Sequence, residues 1–522
     1  MKFTLPLYGL LLCAAITISF VQEPIPVVEK PVVKIKTGLI SGVTNPGTGV
    51  SSYKGIPYAQ APIGDLRWRA PQPAKPWQDL KVCDAFGPSP YQNKPGPFSM
   101  WSQEFIIPEQ PINEDCLYLN VWAAAKGKKP KPVLVWIYGG GFGSGGANVP
   151  VYDGEALAAK GIVFVSFNYR VGVFGFMAHP ALSAESGHQA SGNYGLMDQI
   201  AALRWVKDNI AAFGGDPDQV TVAGQSAGSM SVSCLMAAPA AKKMFSKAIA
   251  ESGSYVLNHN GIEDLRTAEQ QGLAIAEKLQ AKTLAELRAA PASAVQRSVV
   301  GNFKPIVDGY ILPEAVGDCF AAGRQHQVPL LTGWNADEIY VAEPIKTVQG
   351  VQEKLKKQYG DKAEILLNYY HVTDESSAIY AQRQLATAER YGMQNFTLAN
   401  LQSKIPGLPV YVYRFYRKVP GNGEYAKFGA FHTSEVPYAY HNLRFSDRPW
   451  QAIDYNLEKQ MSDSWINFIV NADPNHQGMA KWGKYDQKNY QVMVFDEEIQ
   501  PAALAEKEVL QVIVAAQTVK VP

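Results

Sequence analysis

Net charge is almost absent from this sequence, and so are metal-binding motifs. The 48 lysine and arginine residues nearly balance 47 aspartate and glutamate residues, for a formal net charge of +1. A protein that binds nucleic acid or an anionic membrane surface needs a basic face, so neither partner is expected. The five cysteines form no paired ligand set, and no His-Glu-x-x-His or Gly-Lys-Ser/Thr motif occurs. Metal-dependent hydrolysis and phosphate-loop chemistry therefore have no support in the sequence.

An apolar run long enough to cross a bilayer is also missing. Residues 5–20 are nearly all apolar, but a membrane-spanning helix needs about 20 such residues. Lys2 before the run and small residues near its end are typical of a secretory signal peptide. We expect residues 1–20 to be cleaved, with an uncleaved anchor as the alternative, and residues 21–33 to form a leader rich in proline and valine. The mature chain is then secreted or periplasmic, without stable membrane insertion.

Short β-rich runs alternate with helical patterns through most of the chain. The predicted strands are Val133–Tyr138, Ile162–Asn168, Val220–Val222, Lys247–Glu251, Val328–Thr332, Val410–Arg417 and Val492–Phe495. Several are apolar throughout, as parallel strands covered on both faces should be. The alternation predicts one α/β domain over about residues 34–510, with a large, mostly parallel sheet covered by helices on both faces. Residues 340–405 are expected to be a helical insertion over the active site.

One serine stands in a pattern typical of a strand-to-helix turn. Val220–Val222 leads into Gly224-Gln225-Ser226-Ala227-Gly228, and a helical pattern of small residues follows. This is the sequence form of a nucleophile elbow, whose turn is too tight for side chains on either side of the serine. Ser226 is the candidate nucleophile, and a serine in an ordinary glycine-rich turn is the alternative. A serine hydroxyl also needs a base, usually a histidine oriented by a carboxylate.

The base and the acid should come from loops after later strands, in the order serine, acid, histidine. Of the eight histidines, His432 lies in a loop of small residues that follows Val410–Arg417. Asp337 and Glu338 both follow Val328–Thr332. An acid at such a position also suits the N-terminus of a helix, and the residues alone do not decide between the two carboxylates.

A glycine-rich loop follows the predicted strand Val133–Tyr138. It reads Gly139-Gly140-Gly141-Phe142-Gly143, and glycines permit a backbone that directs N–H groups at a developing oxyanion. Residues 141–146 also match the dinucleotide pattern Gly-x-Gly-x-x-Gly. The context argues against that reading, because no helix start follows and the strand Ile162–Asn168 ends without an acid for a ribose.

Several further motifs occur in the order typical of one enzyme family. They are Tyr53-Lys54-Gly55-Ile56-Pro57-Tyr58-Ala59, Glu114-Asp115-Cys116-Leu117-Tyr118-Leu119-Asn120, Trp136-Ile137-Tyr138-Gly139-Gly140-Gly141-Phe142 and Phe213-Gly214-Gly215-Asp216-Pro217. Together with the elbow they make the chain resemble the type-B carboxylesterases, the cholinesterase-like branch of the α/β-hydrolase fold. The resemblance runs from about residue 34 to about residue 500.

The resemblance implies a role for each matching residue. Ser226 would attack the carbonyl of a small-molecule ester, His432 would carry the proton, and Glu338 rather than Asp337 would orient His432. The implied oxyanion-hole donors are the N–H groups of Gly140, Gly141 and Ala227. The family's reaction uses no cofactor and no metal, so neither is expected here.

Two features bear on how far the resemblance extends. Cys83 and Cys116 flank a loop rich in proline and aromatic residues, and in an oxidising compartment we expect them to form a disulfide. Cys83 nevertheless comes several residues before the position of the family's first bridging cysteine. Gln225 stands before the nucleophile where cholinesterases carry a glutamate. Without that charge, a neutral ester fits better than a cationic choline ester.

Aromatic and apolar residues near the elbow are candidates for the substrate pocket. They are Phe142, Gln225, Met230, Trp101 and Phe431, although such residues belong to the core by default. The sequence thus predicts a serine carboxylesterase that forms an acyl-enzyme. A lipase or polyesterase that acts on bulky esters is the alternative. A binding or adhesion protein on the same fold is a further one.

Overall fold

The computed structural model describes residues 1–2, 30–109, 111–125, 127, 129–257 and 263–518. The predicted signal peptide, apart from its first two residues, lies outside the described residues, and so does the predicted leader up to residue 29. The described chain enters the fold at a strand that begins at Val32. Within the described residues, no helix has the length and apolar character needed to cross a membrane.

A large mixed sheet of eleven strands forms the centre of the protein. Its strands are β3 (Val43–Thr44), β4 (Val50–Pro57), β8 (Tyr118–Ala124), β9 (Lys131–Ile137), β10 (Val163–Phe167), β11 (Gly215–Gln225), β12 (Lys247–Glu251), β13 (Leu330–Asn335), β14 (Val410–Phe415), β15 (Gln491–Phe495) and β16 (Ile499–Ala503). They lie in the order β16-β15-β14-β13-β12-β11-β9-β10-β8-β4-β3. The two smaller sheets contain β1 (Val32–Ile35), β2 (Gly38–Ser41) and β5 (Lys81–Val82), and β6 (Ser89–Pro90) and β7 (Ile112–Asn113).

The centre of the large sheet is parallel and its edges are antiparallel. From β10 through β9 to β15, each neighbouring pair is parallel. Strands β3, β4 and β8 at one edge and β16 at the other pair antiparallel. Because parallel strands are buried on both faces, β10, β12 and β13 are buried at every residue. The predicted mostly parallel α/β sheet is therefore confirmed.

Sixteen α-helices in the described residues surround the sheets. They are α1 (Glu155–Ala159), α2 (Gly172–Phe176), α3 (Pro180–Glu185), α4 (Tyr194–Asn209), α5 (Ala227–Ala237), α6 (Leu265–Lys278), α7 (Leu284–Ala289), α8 (Ala292–Arg297), α9 (Val316–Ala321), α10 (Val348–Tyr359), α11 (Ala363–Tyr370), α12 (Glu375–Thr387), α13 (Met393–Gln402), α14 (Val436–Ala439), α15 (Ala452–Asn471) and α16 (Lys507–Thr518). Helices α10–α13 occupy the predicted helical segment between β13 and β14. A π-helical turn at Ala388–Gly392 joins α12 to α13.

The predicted disulfide is wrong, because Cys83 and Cys116 are both free, buried thiols. The amide of Lys54 donates to the carbonyl of Cys83, whereas the amide of Tyr58 donates to the carbonyl of Leu117, the residue after Cys116. Lys54 lies within β4 and Tyr58 directly follows it, so the two cysteine segments contact different parts of the chain. A disulfide requires Cα atoms within about 7 Å of each other.

Candidate active site

Ser226 lies at the sharp turn between β11 and α5, as the elbow pattern predicts. Its φ of 58° and ψ of −123° are rare for a residue with a side chain, and such strain concentrates at functional sites. The flanking glycines make the turn possible. A Cβ atom on Gly228 would lie 2.0 Å from the carbonyl oxygen of Ile137. A Cβ atom on Gly224 would lie 2.5 Å from the backbone of Gly228.

The glycine-rich loop after β9 packs directly against this elbow. A Cβ atom on Gly139 would lie 2.9 Å from the Cβ atom of Ser226. Gly140 and Gly141 have φ values of 112° and 61°, in the region that glycine adopts most readily. Gly140, Gly141 and Ala227 line the same pocket as Ser226. The structure therefore brings the three predicted oxyanion-hole residues to the nucleophile.

His432 and Glu338 form a short, buried hydrogen bond. His432 Nδ1 and Glu338 Oε2 lie 2.5 Å apart. The other carboxylate oxygen, Oε1, accepts from the hydroxyl of Ser252 at 2.6 Å and from the amide of Asn335 at 2.7 Å. Hydrogen bonds from Ser252 and Asn335 hold the Glu338 carboxylate in place, and the carboxylate in turn orients the imidazole. His432 also lines the pocket beside Ser226.

Asp337, the competing carboxylate, contacts the backbone of the histidine loop instead. Its amide donates to the carbonyl of Ala430 at 3.0 Å, and its Oδ2 accepts from the amide of Ala430 at 3.0 Å. Asp337 thereby holds the loop that carries His432. The geometry selects Glu338 as the partner of the imidazole, which the residues alone left open.

Gln225 lies between the elbow and the histidine loop. Its Nε2 is 3.3 Å from each ring nitrogen of His432, and its Oε1 accepts from the hydroxyl of Thr433 at 3.3 Å. The indole N–H of Trp101 donates to the same hydroxyl at 3.2 Å. Because Gln225 is buried and uncharged, it brings no anion to this part of the pocket.

Tyr391 covers one face of the imidazole. It comes from the π-helical turn between α12 and α13 and stacks on His432 with ring centroids 4.3 Å apart. Burial raises the pKa of its hydroxyl, and nearby Glu338 raises it further. Side-chain hydrogen bonds with Arg390 and Ser226 oppose that rise. Tyr391 and Ser226 both line the pocket beside His432.

The pocket around these residues has a volume of about 630 Å³. Of the five predicted lining residues, Phe142, Gln225, Met230 and Trp101 line it. Phe431 does not, so that prediction is wrong. Its ring packs edge-on against Phe105 with centroids 5.6 Å apart, in the core beside the histidine loop.

Two cationic residues also line the pocket, and sequence reasoning missed both. They are Lys304, from the loop between α8 and α9, and Arg390, from the π-helical turn. Burial lowers the pKa of Lys304, the attraction of Glu263 raises it, and the nearby charge of Arg390 lowers it. Among the described residues that line the pocket, none is an aspartate or glutamate. Two basic side chains therefore line the pocket, which the expectation of a neutral ester did not include.

A model of the carboxylesterase family matches residues 29–512. The chain belongs to the carboxylesterase family. It is accordingly a carboxylic ester hydrolase, and the predicted resemblance is confirmed.

Named relatives agree with this assignment. The carboxylesterase is 34% identical to fumonisin B1 esterase of Sphingopyxis macrogoltabida, over 89% of this chain and 86% of that protein. It is 36% identical to para-nitrobenzyl esterase of Bacillus subtilis, over 90% and 95% of the two chains. A solved structure of a PNB esterase superposes with a TM-score of 0.79 at 30% identity and covers 93% of this chain and 99% of that one. The predicted α/β-hydrolase fold is thus confirmed.

The residues that sequence reasoning missed in this carboxylesterase share one origin. Lys304, Arg390 and Tyr391 all come from segments without a recognisable motif, and reach the pocket through tertiary packing. The only available signal was the helical composition of residues 340–405, which predicted an insertion near the active site. It gave no means of choosing residues within that insertion. Within the described parts of the chain, no cluster of three or more histidine, cysteine, aspartate or glutamate residues could hold a metal ion.

Proposed function

We propose that the protein is a serine carboxylesterase that works through an acyl-enzyme, with Ser226 as nucleophile, His432 as base and Glu338 as the orienting acid. The observation that carries the proposal is the 2.5 Å contact between His432 Nδ1 and Glu338 Oε2, beside a serine on a strained elbow. A carboxylate at Nδ1 holds the imidazole in the tautomer whose Nε2 accepts a proton.

In the acylation half-reaction, Ser226 Oγ attacks the ester carbonyl carbon while His432 Nε2 takes the hydroxyl proton. The carbonyl oxygen becomes an oxyanion, stabilised by the N–H groups of Gly140, Gly141 and Ala227. Glu338 stabilises the imidazolium that forms. The intermediate then collapses, the bond to the alkoxy oxygen breaks, and His432 returns the proton to the leaving alcohol.

Deacylation repeats these steps with water. His432 removes a proton from a water molecule as its oxygen attacks the acyl carbon. The second tetrahedral intermediate collapses, Ser226 leaves and recovers its proton from His432, and the carboxylic acid is released. Ester and water thus give acid and alcohol, and no cofactor enters the balance.

Substitution of the nucleophile tests the proposal. Ser226→Ala should lower kcat for a para-nitrophenyl ester of a short acid by at least about 10⁴-fold, the order of loss seen when a triad member is removed. Ser376→Ala, which changes an exposed serine on α12, is the matched control and should retain turnover. Full activity of purified Ser226→Ala would refute the assignment.

The pocket also bears on the alcohol part of the ester. Gln225 is neutral, and no described carboxylate lines the pocket. A choline ester would therefore meet no anion that attracts its ammonium group. We propose that uncharged esters are hydrolysed in preference to choline esters. A higher kcat/KM for butyrylcholine than for butyl butyrate would contradict this preference.

A lipase or polyesterase is the second candidate function. Phe98 lines the pocket, exposes 57% of its surface and packs on Trp101 with ring centroids 4.8 Å apart. An exposed aromatic residue at the pocket suits contact with an apolar interface. Turnover of tributyrin that rises sharply above its solubility limit, and falls in Phe98→Ser, would favour this function over hydrolysis of soluble esters.

We also propose export of the mature chain, on the basis of the signal-like residues 1–20. Expression of the full chain in a bacterial host, followed by cell fractionation and N-terminal sequencing, tests it. Mature protein outside the cytoplasm that starts near residue 21 would support the proposal. Full-length protein retained in the cytoplasm would refute it.

A further inference from the structure

Gln92 is a buried glutamine whose side chain pairs with the backbone of the glycine-rich loop. Its Nε2 donates to the carbonyl of Gly145 at 2.7 Å, and its Oε1 accepts from the amide of Gly145 at 2.8 Å. Nε2 also donates to the carbonyl of Pro90 at 2.9 Å. The side-chain amide therefore exchanges two hydrogen bonds with Gly145, as a residue of a neighbouring strand would.

Gly145 packs against the part of the loop that carries the predicted oxyanion donors. A Cβ atom on Gly145 would lie 2.6 Å from the carbonyl oxygen of Gly139. A Cβ atom on Gly140 would lie 2.2 Å from the carbonyl oxygen of Ser144. The amides of Gly143 and Ser144 both donate to the carbonyl of Gly140 at 3.1 Å. Because the loop closes on itself in this way, a displacement of Gly145 would also displace Gly140.

Asn168, which directly follows β10, makes a second connection to the same segment. Its Oδ1 accepts from the amide of Ala147 at 2.8 Å, and its Nδ2 donates to the carbonyl of Pro88 at 2.9 Å. Residues 145–147 are thus held against residues 88–92 at two places. The contact through Gln92 is direct and lies nearer in the chain to the oxyanion donors.

A loop of this composition needs such support. Glycine adopts many backbone conformations, whereas an oxyanion hole works because its N–H groups are held in place before the charge develops. Gly140, Gly141 and Gly145 line the pocket, but Gln92 does not. Gln92 therefore affects a bound ester only through the loop that it holds.

We propose that Gln92 is a positioning residue for the oxyanion hole and sets the direction of the N–H groups of Gly140 and Gly141. This inference rests on the proposed serine esterase function. The oxyanion is present in the transition state and absent from the bound ester. Loss of the restraint should therefore lower kcat and leave KM nearly unchanged.

Gln92→Met tests the proposal, because it keeps an unbranched side chain of similar length and removes all three hydrogen bonds. We expect kcat for para-nitrophenyl butyrate to fall about 10- to 100-fold, as small misplacements of reacting groups do. The inhibition constant of a trifluoromethyl ketone should rise by a similar factor. Its adduct with Ser226 places an oxyanion in the same hole, so it resembles the transition state.

Gln402→Met is the matched control. Gln402 is also buried, donates to the carbonyl of Val328 at 2.8 Å and accepts from Gln325 at 3.0 Å. It does not line the pocket. This variant loses buried hydrogen bonds of the same kind and should have a lower Tm, but its kcat and its affinity for the ketone should remain those of wild type.

A second variant covers failure of Gln92→Met to fold. Gln92→Asn keeps the amide but withdraws it by about 1.5 Å, one C–C bond, so it cannot reach both groups of Gly145. The same loss of kcat with retained KM is expected. Failure of both variants to fold would overturn the inference, because Gln92 would then serve the fold as a whole.

The outcomes separate this inference from the function on which it rests. An unchanged kcat in folded Gln92→Met, with Ser226→Ala inactive, would overturn the positioning role and retain the serine esterase. Equal losses of kcat in Gln92→Met and Gln402→Met would also overturn it. Hydrolysis by Ser226→Ala, or hydrolysis of no ester by wild type, would refute the proposed function itself.

Discussion

Tyr391 stacks on the imidazole of His432, with 20° between the two ring planes. The stack limits rotation of the imidazole, while Glu338 restrains Nδ1. The tyrosine comes from a π-helical turn, a feature found frequently at functional sites. The helical insertion therefore takes part in the geometry of the site as well as in its wall.

We expect Tyr391 to act as a positioning residue. Tyr391→Leu removes the stacked ring and should lower kcat about 10- to 100-fold, as small misplacements of reacting groups do. Tyr391→Phe keeps the ring and loses only the hydroxyl, so it should retain much more of the wild-type kcat. Steady-state kinetics on one para-nitrophenyl ester check the order. Equal losses in the two variants would show that the ring contact does not matter.

Ser252 should act through Glu338. Ser252→Ala removes the hydrogen bond of 2.6 Å to Glu338 Oε1, and a buried hydrogen bond is worth about 1 kcal/mol. We expect kcat to fall about three- to tenfold, with KM nearly unchanged. Thermal unfolding of the same variant separates this effect from loss of fold. An unchanged kcat in the folded variant would argue against a restraint by Ser252.

Gly228 should tolerate no side chain. Gly228→Ala would place Cβ 2.0 Å from the carbonyl oxygen of Ile137, so β9 and α5 would have to separate. Overpacking of this kind costs about 1–3 kcal/mol or more, and we expect a lower Tm together with lost activity. In Gly127→Ala the new Cβ comes no closer than 3.8 Å to its neighbours. That control should unfold like wild type, and equal Tm values for the two variants would contradict the packing argument.

Cys83 and Cys116 should be found as thiols. Burial raises the pKa of the Cys83 thiol to about 11 and that of Cys116 well above its usual value, so both should react slowly in the folded protein. Unfolding without a reductant should let iodoacetamide alkylate both, as peptide mass spectrometry detects. A peptide pair joined through these cysteines would contradict the structure.

Glu251 should make stability depend on pH. Burial raises its pKa to about 8, although Trp465 donates to Oε1 at 2.6 Å. The folded carboxyl thus holds its proton over a range in which the unfolded one has lost it. The stabilisation that the protonated Glu251 carboxyl gives the folded protein is fully present below the unfolded pKa of about 4.3. It is lost as pH rises through about 8. Glu251→Gln should therefore have a higher Tm than wild type above about pH 8 and nearly the same Tm near about pH 5. Equal Tm differences at the two pH values would refute the raised pKa of Glu251.

The sequence predicted those parts of the protein whose backbone is determined by residues that are neighbours in the chain. The apolar runs of β10 and β12 identify buried parallel strands, and the glycines around Ser226 identify the elbow, because in each case neighbouring residues dictate the backbone. The edge strand β16 escaped notice because it is not an apolar run and contains a proline, which edge positions tolerate.

What the sequence did not predict depends on contacts between distant segments. Lys304 reaches the pocket from the loop between α8 and α9, and Tyr391 reaches it from the turn between α12 and α13. The wrong prediction for Phe431 has the same cause. Its neighbour His432 lines the pocket, but Phe105, far away in sequence, offers the Phe431 ring a place in the core. Closeness in sequence to the catalytic residues predicted neither the entry of Lys304 and Tyr391 into the pocket nor the burial of Phe431 in the core.

The most direct test of the central claim is covalent labelling of the folded enzyme with a fluorophosphonate, read by intact and peptide mass spectrometry. We expect one adduct per chain, on the peptide that contains Ser226. Labelling should be lost in Ser226→Ala and strongly slowed in His432→Ala, because the histidine activates the serine. Absence of an adduct in folded wild type, or an adduct on another serine, would show that Ser226 is not the nucleophile.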